Sequence, residues 1–468
     1  MDDHGMTAAP SALLDRTVPM WRLVLTLAWP VLLQQLLILT VSLSDRFLAG
    51  RFQKVEEATK IASQSAQTTA SYLAWVISNY TILVSVGSVA LVARFVGAGD
   101  RKEAIAVTHQ SLLLAVALGV LGTAVGVPLL PALMDALQLH GSAADQAVAY
   151  LRPLFWLLAF QMIESAGIAC LIGAGDTRTG LWVLGGIAVV NVPLAWLFFH
   201  GLGPLPGMGF AGIALGTGIS HLLGGVLVLT VLWRGRAGLQ LEWRLFRPRW
   251  DLWRRLLRVS IPAAADGLSV AVGQLWFLSI VNPLGNAAGA AHGIAIQWEA
   301  LGYLSGTAFG TAAMTLVGQN LGAGRPDRAF RSGWVAFALG IAVMTLMGLV
   351  FFTLAGPMFE LFCPDADQRP IVEAGVPVLR LVAFAMPPLA SCIIFTCALR
   401  GAGDTRVPVL FTLFGFFAVR IPLAYWLTRP EMGLGLRGAW LAMIADIAVR
   451  GAFFMWRFAG GRWRTIRV

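Results

Sequence analysis

Charge is what this chain has least of. Asp, Glu, Lys and Arg together make up 12% of its 468 residues, about half the share of a typical soluble domain. That is too little to keep a protein of this size in water. Cysteine is scarce as well. Cys170, Cys363, Cys392 and Cys397 form no CxxC pair and no His/Cys cluster, which excludes a disulfide framework or a zinc ribbon. His109, His140, His200, His221 and His292 are scattered, and neither HExxH nor GxSxG occurs. No Ser-His-Asp arrangement is readable, so an enzyme is not expected. The short alternating segments of a membrane β-barrel are missing too. No cleavable signal peptide is visible: the first twenty residues are mixed and charged, and the first apolar run is long enough to span a bilayer.

What remains is hydrophobic: 57% of the residues, with a mean hydropathy of +0.75. About 20 apolar residues cross a bilayer as a helix, and twelve such runs are present. They lie near 20–45, 66–93, 104–130, 147–172, 178–200, 209–233, 253–281, 289–318, 330–356, 372–399, 406–428 and 436–458. The net charge of +10 is not a nucleic-acid signal, because 24 of the 34 bases fall in the N-terminal segment, in every second loop and in the C-terminal tail, and the bases of RFQKVEEATK are offset by acids. Eight lie between Arg234 and Arg258 alone. This is the positive-inside bias. It predicts that both termini and the 234–252 linker are cytoplasmic, against an anionic leaflet.

The chain is also a duplication. LIGAGDTRTG (171–180) returns as LRGAGDTRVP (399–408), and VARFVGAGDRKEA (92–104) as VGQNLGAGRPDRA (317–329). NVPLAWLF (191–198) returns as RIPLAYWL (420–427), PGMGFAGIAL (206–215) as MGLGLRGAWL (432–441), and, more weakly, LAWPVLLQQL (27–36) as VSIPAAADGL (259–268). The order is the same in both halves and the offset is nearly constant, as a duplication requires. Six spans per half is an even number, so both halves enter the membrane in the same direction. An approximate twofold axis along the membrane normal follows. The expected fold is an all-α integral membrane protein of twelve helices in two six-helix bundles. Its parts are a cytoplasmic segment 1–19, a bundle 20–233, the basic linker 234–252, a bundle 253–458 and a tail 459–468.

Each GAGDTR stands between the fourth and fifth spans of its half. Gly173/Gly175 and Gly401/Gly403 suit the left-handed geometry that ends a helix. Asp176/Thr177 and Asp404/Thr405 suit the cap of the next one. A phosphate loop would need a strand before it and a Lys-Ser/Thr after it; the motif reads as a structural turn.

Taken together, the two six-helix repeats, WP(x)14DRFLAG in the first span, a Gly-Ala-Gly turn after the second span and GAGDTR after the fourth resemble the multidrug and toxic compound extrusion (MATE) family over roughly 20–460. The resemblance implies secondary active export: cationic amphipathic drugs or metabolites leave in exchange for Na⁺ or H⁺ by alternating access. No cofactor beyond the coupling ion is implied. The setting would be the bacterial inner membrane, with the lipid bilayer and a small-molecule substrate as partners, no nucleic acid, and a monomeric state. The alternative is a flippase or exporter of a lipid-linked or polysaccharide precursor.

Ionisable residues inside spans are costly and mark candidate sites. Asp45 lies roughly 35 Å along its helix from Arg22, a depth that alone would place it at the outer interface beside Arg46. The resemblance gives it ion coupling instead, with Asn191 in the same polar network and Na⁺ the one metal in question. Four residues on, where the family often has a second polar group, this chain has Ala195. Asp266 and Glu299 match acidic positions of relatives and join the ion-coupling set. Gln161 and Glu164 share one helix face, with Glu164 roughly 14 Å past its turn. They are expected to line the substrate cavity with Trp298 and Tyr303, whose aromatic faces suit a cation; Tyr72 and Trp75 are further aromatic candidates. Arg420, about 21 Å along its helix from Arg406, is too deep to snorkel and is expected to pair with Asp266 or Glu299 at the substrate site. Asp446 is expected to pair with Arg450 at i,i+4.

Overall fold

The computed structural model describes residues 12–51, 73–74, 76–136, 139–202 and 205–466. Residues 1–11, most of the RFQKVEEATK loop, the start of the second expected span with Tyr72 and Trp75, and the side chain of Arg46 lie outside the described residues.

Backbone amides have no water to bond inside a bilayer, so apolar runs of this length satisfy themselves as helices. They do so here as α1 (Met20–Arg51), α2 (Val76–Ala98), α3 (Arg101–Ala136), α4 (Ser142–Trp156 and Leu158–Ala174), α5 (Thr177–His200) and α6 (Phe210–Trp233). The second half supplies α7 (Trp250–Val281), α8 (Asn286–Gly322), α9 (Pro326–Thr353), α10 (Arg369–Gly401), α11 (Arg406–Leu427) and α12 (Gly435–Ala459). Eleven are single helices long and apolar enough to span, and α4 makes a twelfth when its two pieces count as one. The strand content among the described residues is a two-residue ladder, Gly201–Leu202 against Leu205–Pro206, between α5 and α6.

Two helices depart from the straight spans expected. In place of one run over 147–172, α4 bends by 51° at Leu157. Pro153 lies one turn earlier; it lacks an N–H and its ring crowds the carbonyl four residues back, which is how proline kinks a helix. In α11 the stretch Phe414–Arg420 is wound as π-helix. Pro422 follows two residues later and cannot donate to the carbonyl of residue 418. The wider turn absorbs the missing bond and fixes the direction of Arg420.

Packing divides the chain into two compact units. The first holds Leu33–Ser260; the second holds Pro10–Leu32 together with Ile261–Val468. The first half of α1 thus groups with helices of the second repeat, where Leu23, Val24, Leu27 and Ala28 join the core formed by α8, α10 and α12. The first half of α7 groups with helices of the first repeat. There the Gly87 amide donates to Ser260 Oγ at 2.9 Å.

The segment leading into each of these helices is fastened down as well. In unit 1 the linker is bracketed by Gln110, whose amide donates to the Arg247 carbonyl and accepts from the Arg249 amide, both at 2.8 Å. His109 Nε2 accepts from the Glu242 amide at 2.8 Å, and Arg101 donates to the Gly238 carbonyl. In unit 2, Arg325 and Arg328 each donate to the Leu14 carbonyl at 3.0 Å. The fourth helix of each repeat is the hub of its unit: Leu158–Ala174 packs on α2, α3 and α6, and α10 on α8, α9 and α12.

Candidate cation and substrate sites

In unit 1 the local sequence brings three helices to one polar point. Gly216 lets α6 approach α5 closely, since a Cβ there would stand 2.7 Å from the Ala195 amide nitrogen. That approach lays Thr217 beside Asn191, which is 1% exposed. Asn191 Nδ2 donates to Thr217 Oγ1 at 3.1 Å, and the Thr217 hydroxyl bonds the Asp45 carboxylate. Two acceptors are left over: Asp45 Oδ1 and Asn191 Oδ1 are both buried without a hydrogen-bond partner. Leaving such oxygens unpaired is expensive, and a buried carboxylate needs a positive charge or a proton. Ala195 is fully buried among Leu48, Phe199 and Ile213, so no further oxygen comes from that side. The Tyr150 phenol lies close enough to feel the Asp45 charge. Thr217 escaped the reading of the sequence because a threonine in a span is unremarkable; it stands out only once α6 is laid against α5.

Glu164 is nearly buried and its Oε2 lies 2.8 Å from His221 Nδ1 on α6. Gly224 makes room for that carboxylate, since a Cβ there would come within 2.8 Å of Oε2. Glu164 therefore has a partner within its own unit, one that the scattered histidines of the sequence did not reveal. His221 is one turn past Thr217, roughly 6 Å along α6, so the two polar groups form one stripe. Gln161, on the same face of α4, is half-buried.

In unit 2 the pairing expected for Arg420 is corrected. It bonds neither Asp266 nor Glu299: its guanidinium lies 2.7 Å from Asp446 Oδ2 and donates to Gln274 Oε1 at 3.2 Å. The reason is direction: the π-turn of α11 points the side chain at α12. Asp446 also takes Arg450 at 2.7 Å, the i,i+4 pair expected. Asp266 instead pairs with Arg400 at 2.6 Å, its Oδ1 left without a partner. Glu299 makes no ion pair within 4 Å among the described residues and lies in the field of Arg420 and Arg450. The Trp298 ring packs edge-on against Phe362 at 5.6 Å, and its Nε1 is buried without a partner. Tyr303 is 52% exposed and near Asp266 and Arg400. No three His, Cys, Asp or Glu side chains among the described residues converge to hold a metal ion.

Comparison with known proteins agrees with this architecture. The MatE family model matches residues 30–197 and again 262–426, once per repeat. A probable multidrug resistance protein NorM of Thermotoga maritima is 31% identical over 83% of this chain and 83% of its own length. Another from Rhodopseudomonas palustris is 28% identical over 98% and 96%. Two solved structures share the fold at 20% identity and 97% coverage of this chain. One is a MATE protein in complex with MaL6, with a TM-score of 0.89 over 100% of that chain. The other is an outward-facing multidrug resistance MATE family transporter, at 0.88 over 99%. The doubled family match, the full-length relatives and the twelve spans lead to one identification: this chain is a multi-pass membrane transporter of the multidrug and toxic compound extrusion family, MatE.

Proposed function

We propose that the protein is a cation-coupled exporter of drug-like or metabolite compounds, cationic and amphipathic in character. It works by alternating access in the bacterial inner membrane with both termini and the 234–252 linker cytoplasmic, as a monomer built of the repeats 20–233 and 253–458. The observation that carries the reading is the pair of orphaned buried oxygens, Asp45 Oδ1 and Asn191 Oδ1, on two side chains that Thr217 joins through their other polar atoms. Two hard acceptors, one of them a carboxylate oxygen, with no cationic side chain bonded to them among the described residues, suit Na⁺ or a proton. Occupancy shifts the balance between conformations by its differential affinity for them, which is all a coupling ion can do. Gln161, Trp298 and Tyr303 are the substrate-contacting candidates. Glu164 and Arg420, each engaged within its own unit, act by holding the shape of that unit. Asp266 is engaged likewise, and with Glu299 it balances charge in unit 2. The names of the relatives, multidrug resistance proteins, support a drug-like cargo over a lipid-linked precursor.

The test is ethidium efflux from reconstituted vesicles under separate Na⁺ and H⁺ gradients. Transport should follow one gradient and be lost in Asp45→Asn. Coupled efflux that survives Asp45→Asn would sink the assignment.

A further inference from the structure

The duplication allows the two units to be read position by position. The 191–198 and 420–427 segments place Arg420 where unit 1 has Asn191, and the 27–36 and 259–268 segments carried forward place Phe277 where unit 1 has Asp45. The 206–215 and 432–441 segments place Asp446 opposite Ser220 and Met443 opposite Thr217. In unit 1 Asp45, Asn191 and Thr217 converge, leaving one unpartnered oxygen on the acid and one on the amide. In unit 2 Phe277, Arg420 and Asp446 converge, with the charge already matched: Arg420 lies over the Phe277 ring at 5.6 Å and over Phe416 at 4.2 Å, and pairs with Asp446. Arg420 is 2% exposed and Asp446 fully buried. The acid has moved from the first helix of the repeat to the sixth, and a guanidinium stands where unit 1 has an amide.

We propose that Arg420 is a tethered cation, occupying in unit 2 the position that a free cation or proton visits in unit 1. The inference rests on the coupling role of Asp45 and extends it to the whole chain: one exchangeable cation site per molecule, the second filled covalently. Local charge agrees. Asp446 and Glu299 on one side, Arg420 and Arg450 on the other, sum to zero when all are ionised, with Asp266 and Arg400 cancelling separately. Among the described residues, the remaining ionisable groups near Arg420 are His292, packed between Phe277 and Trp440, and Cys392. Arginine suits the task because its planar fork serves Asp446 and Gln274 together while stacking on aromatic faces. Removing it leaves one uncompensated negative charge beside a vacancy the size of a guanidinium.

Chemical rescue of the purified full-length protein tests this. Arg420→Ala should melt lower than wild type and recover saturably, by about 3 °C or more, in roughly 10 mM guanidinium chloride, a concentration far too dilute to denature. Choline chloride at equal ionic strength should do nothing, and wild type should show no such rise. Arg420→Lys, which keeps the charge but loses the fork, should melt between Arg420→Ala and wild type and ignore guanidinium. Three outcomes would overturn the proposal. These are Arg420→Ala unaffected by guanidinium or failing to fold in its presence, Arg420→Ala melting like wild type, and Arg420→Lys falling as far as Arg420→Ala. Repeating the rescue in an Asp45→Asn background separates the two readings: rescue at position 420 should persist there, whatever that variant does to coupled transport.

Discussion

The two GAGDTR turns have the same letters and nearly the same backbone, yet they are fastened differently. Gly175 and Gly403 both adopt the left-handed region, at φ 94° and 85°. Gly173 and Gly401 do something else: each lets its helix press on a neighbour's carbonyl, that of Val89 in the first turn and that of Met314 in the second. The side chains then diverge. In the first turn Asp176 caps α5 through the Thr179 amide and hydroxyl and takes Arg236 of the linker at 2.8 Å. Gln34 of α1 ties on by donating to the Thr177 carbonyl at 3.0 Å. In the second turn Asp404 does not cap its helix as expected; Arg457 of α12 draws it away at 2.8 Å. The tie at the position of Gln34 is Asp266, bonded to Arg400, which stands where the first turn has Ile172. Backbone geometry survives duplication because glycine has no substitute at these two positions. The aspartate of each turn keeps an arginine partner, but the tie from the first helix of the repeat drifts, from neutral at Gln34 to ionic at Asp266.

Breaking the two ties should therefore hurt unequally. Asp266→Ala strands the largely buried Arg400 guanidinium, 17% exposed, and is expected to cost about 3 kcal/mol, whereas Gln34→Ala removes one neutral hydrogen bond and should cost about 1 kcal/mol. Melting temperatures of the purified variants decide this, and equal losses would erase the distinction between ionic and neutral ties. The glycines sharpen the same comparison. Gly401→Ala meets the Met314 carbonyl more closely than Gly173→Ala meets that of Val89. The first is expected near the upper end of an overpacking cost of about 1–3 kcal/mol and the second near the lower. Gly175→Ala and Gly403→Ala should cost alike, about 1–2 kcal/mol each, because both ask alanine for a left-handed backbone.

The smallest effect concerns acid. Partial burial pushes the Asp176 carboxyl up, but the Thr179 hydroxyl and amide and then Arg236 outweigh it and leave it below the usual carboxylate range. A lowered folded-state value stabilises the fold above the unfolded value of about 4 and loses that stabilisation as pH falls through the folded one. Asp176→Asn should thus melt lower than wild type at pH 7, and the two should converge below about pH 4. A gap that persists undiminished at pH 3 would mean that the carboxylate charge contributes nothing.

The spans, the duplication and the turns were legible because hydropathy, spacing and glycine act along the chain. What was hidden acts across it. Sequence gives the depth of Arg420 from Arg406 but not the azimuth of its side chain, and a single π-turn sends it to Asp446 rather than to Asp266 or Glu299. Glu164 was read as lining a cavity because nothing in the chain order announces His221, 57 residues away. Asn191 and Asp45 were named from the family pattern, while Thr217, which joins them, depends on how closely Gly216 brings α6 to α5.

The grouping of Pro10–Leu32 with Ile261–Val468 also sets a timetable for synthesis. The leading half of α1 has its packing partners at the far end of the message. Leu33–Ser260 must be made before the first of those partners appears, a wait of roughly ten to fifty seconds at about 5–20 residues per second. Through that interval the leading half of α1 sits in lipid without its neighbours, and the apolar face that will bury Leu23 and Leu27 has only acyl chains for company. A segment made before the whole of unit 1 is thus finished only with unit 2.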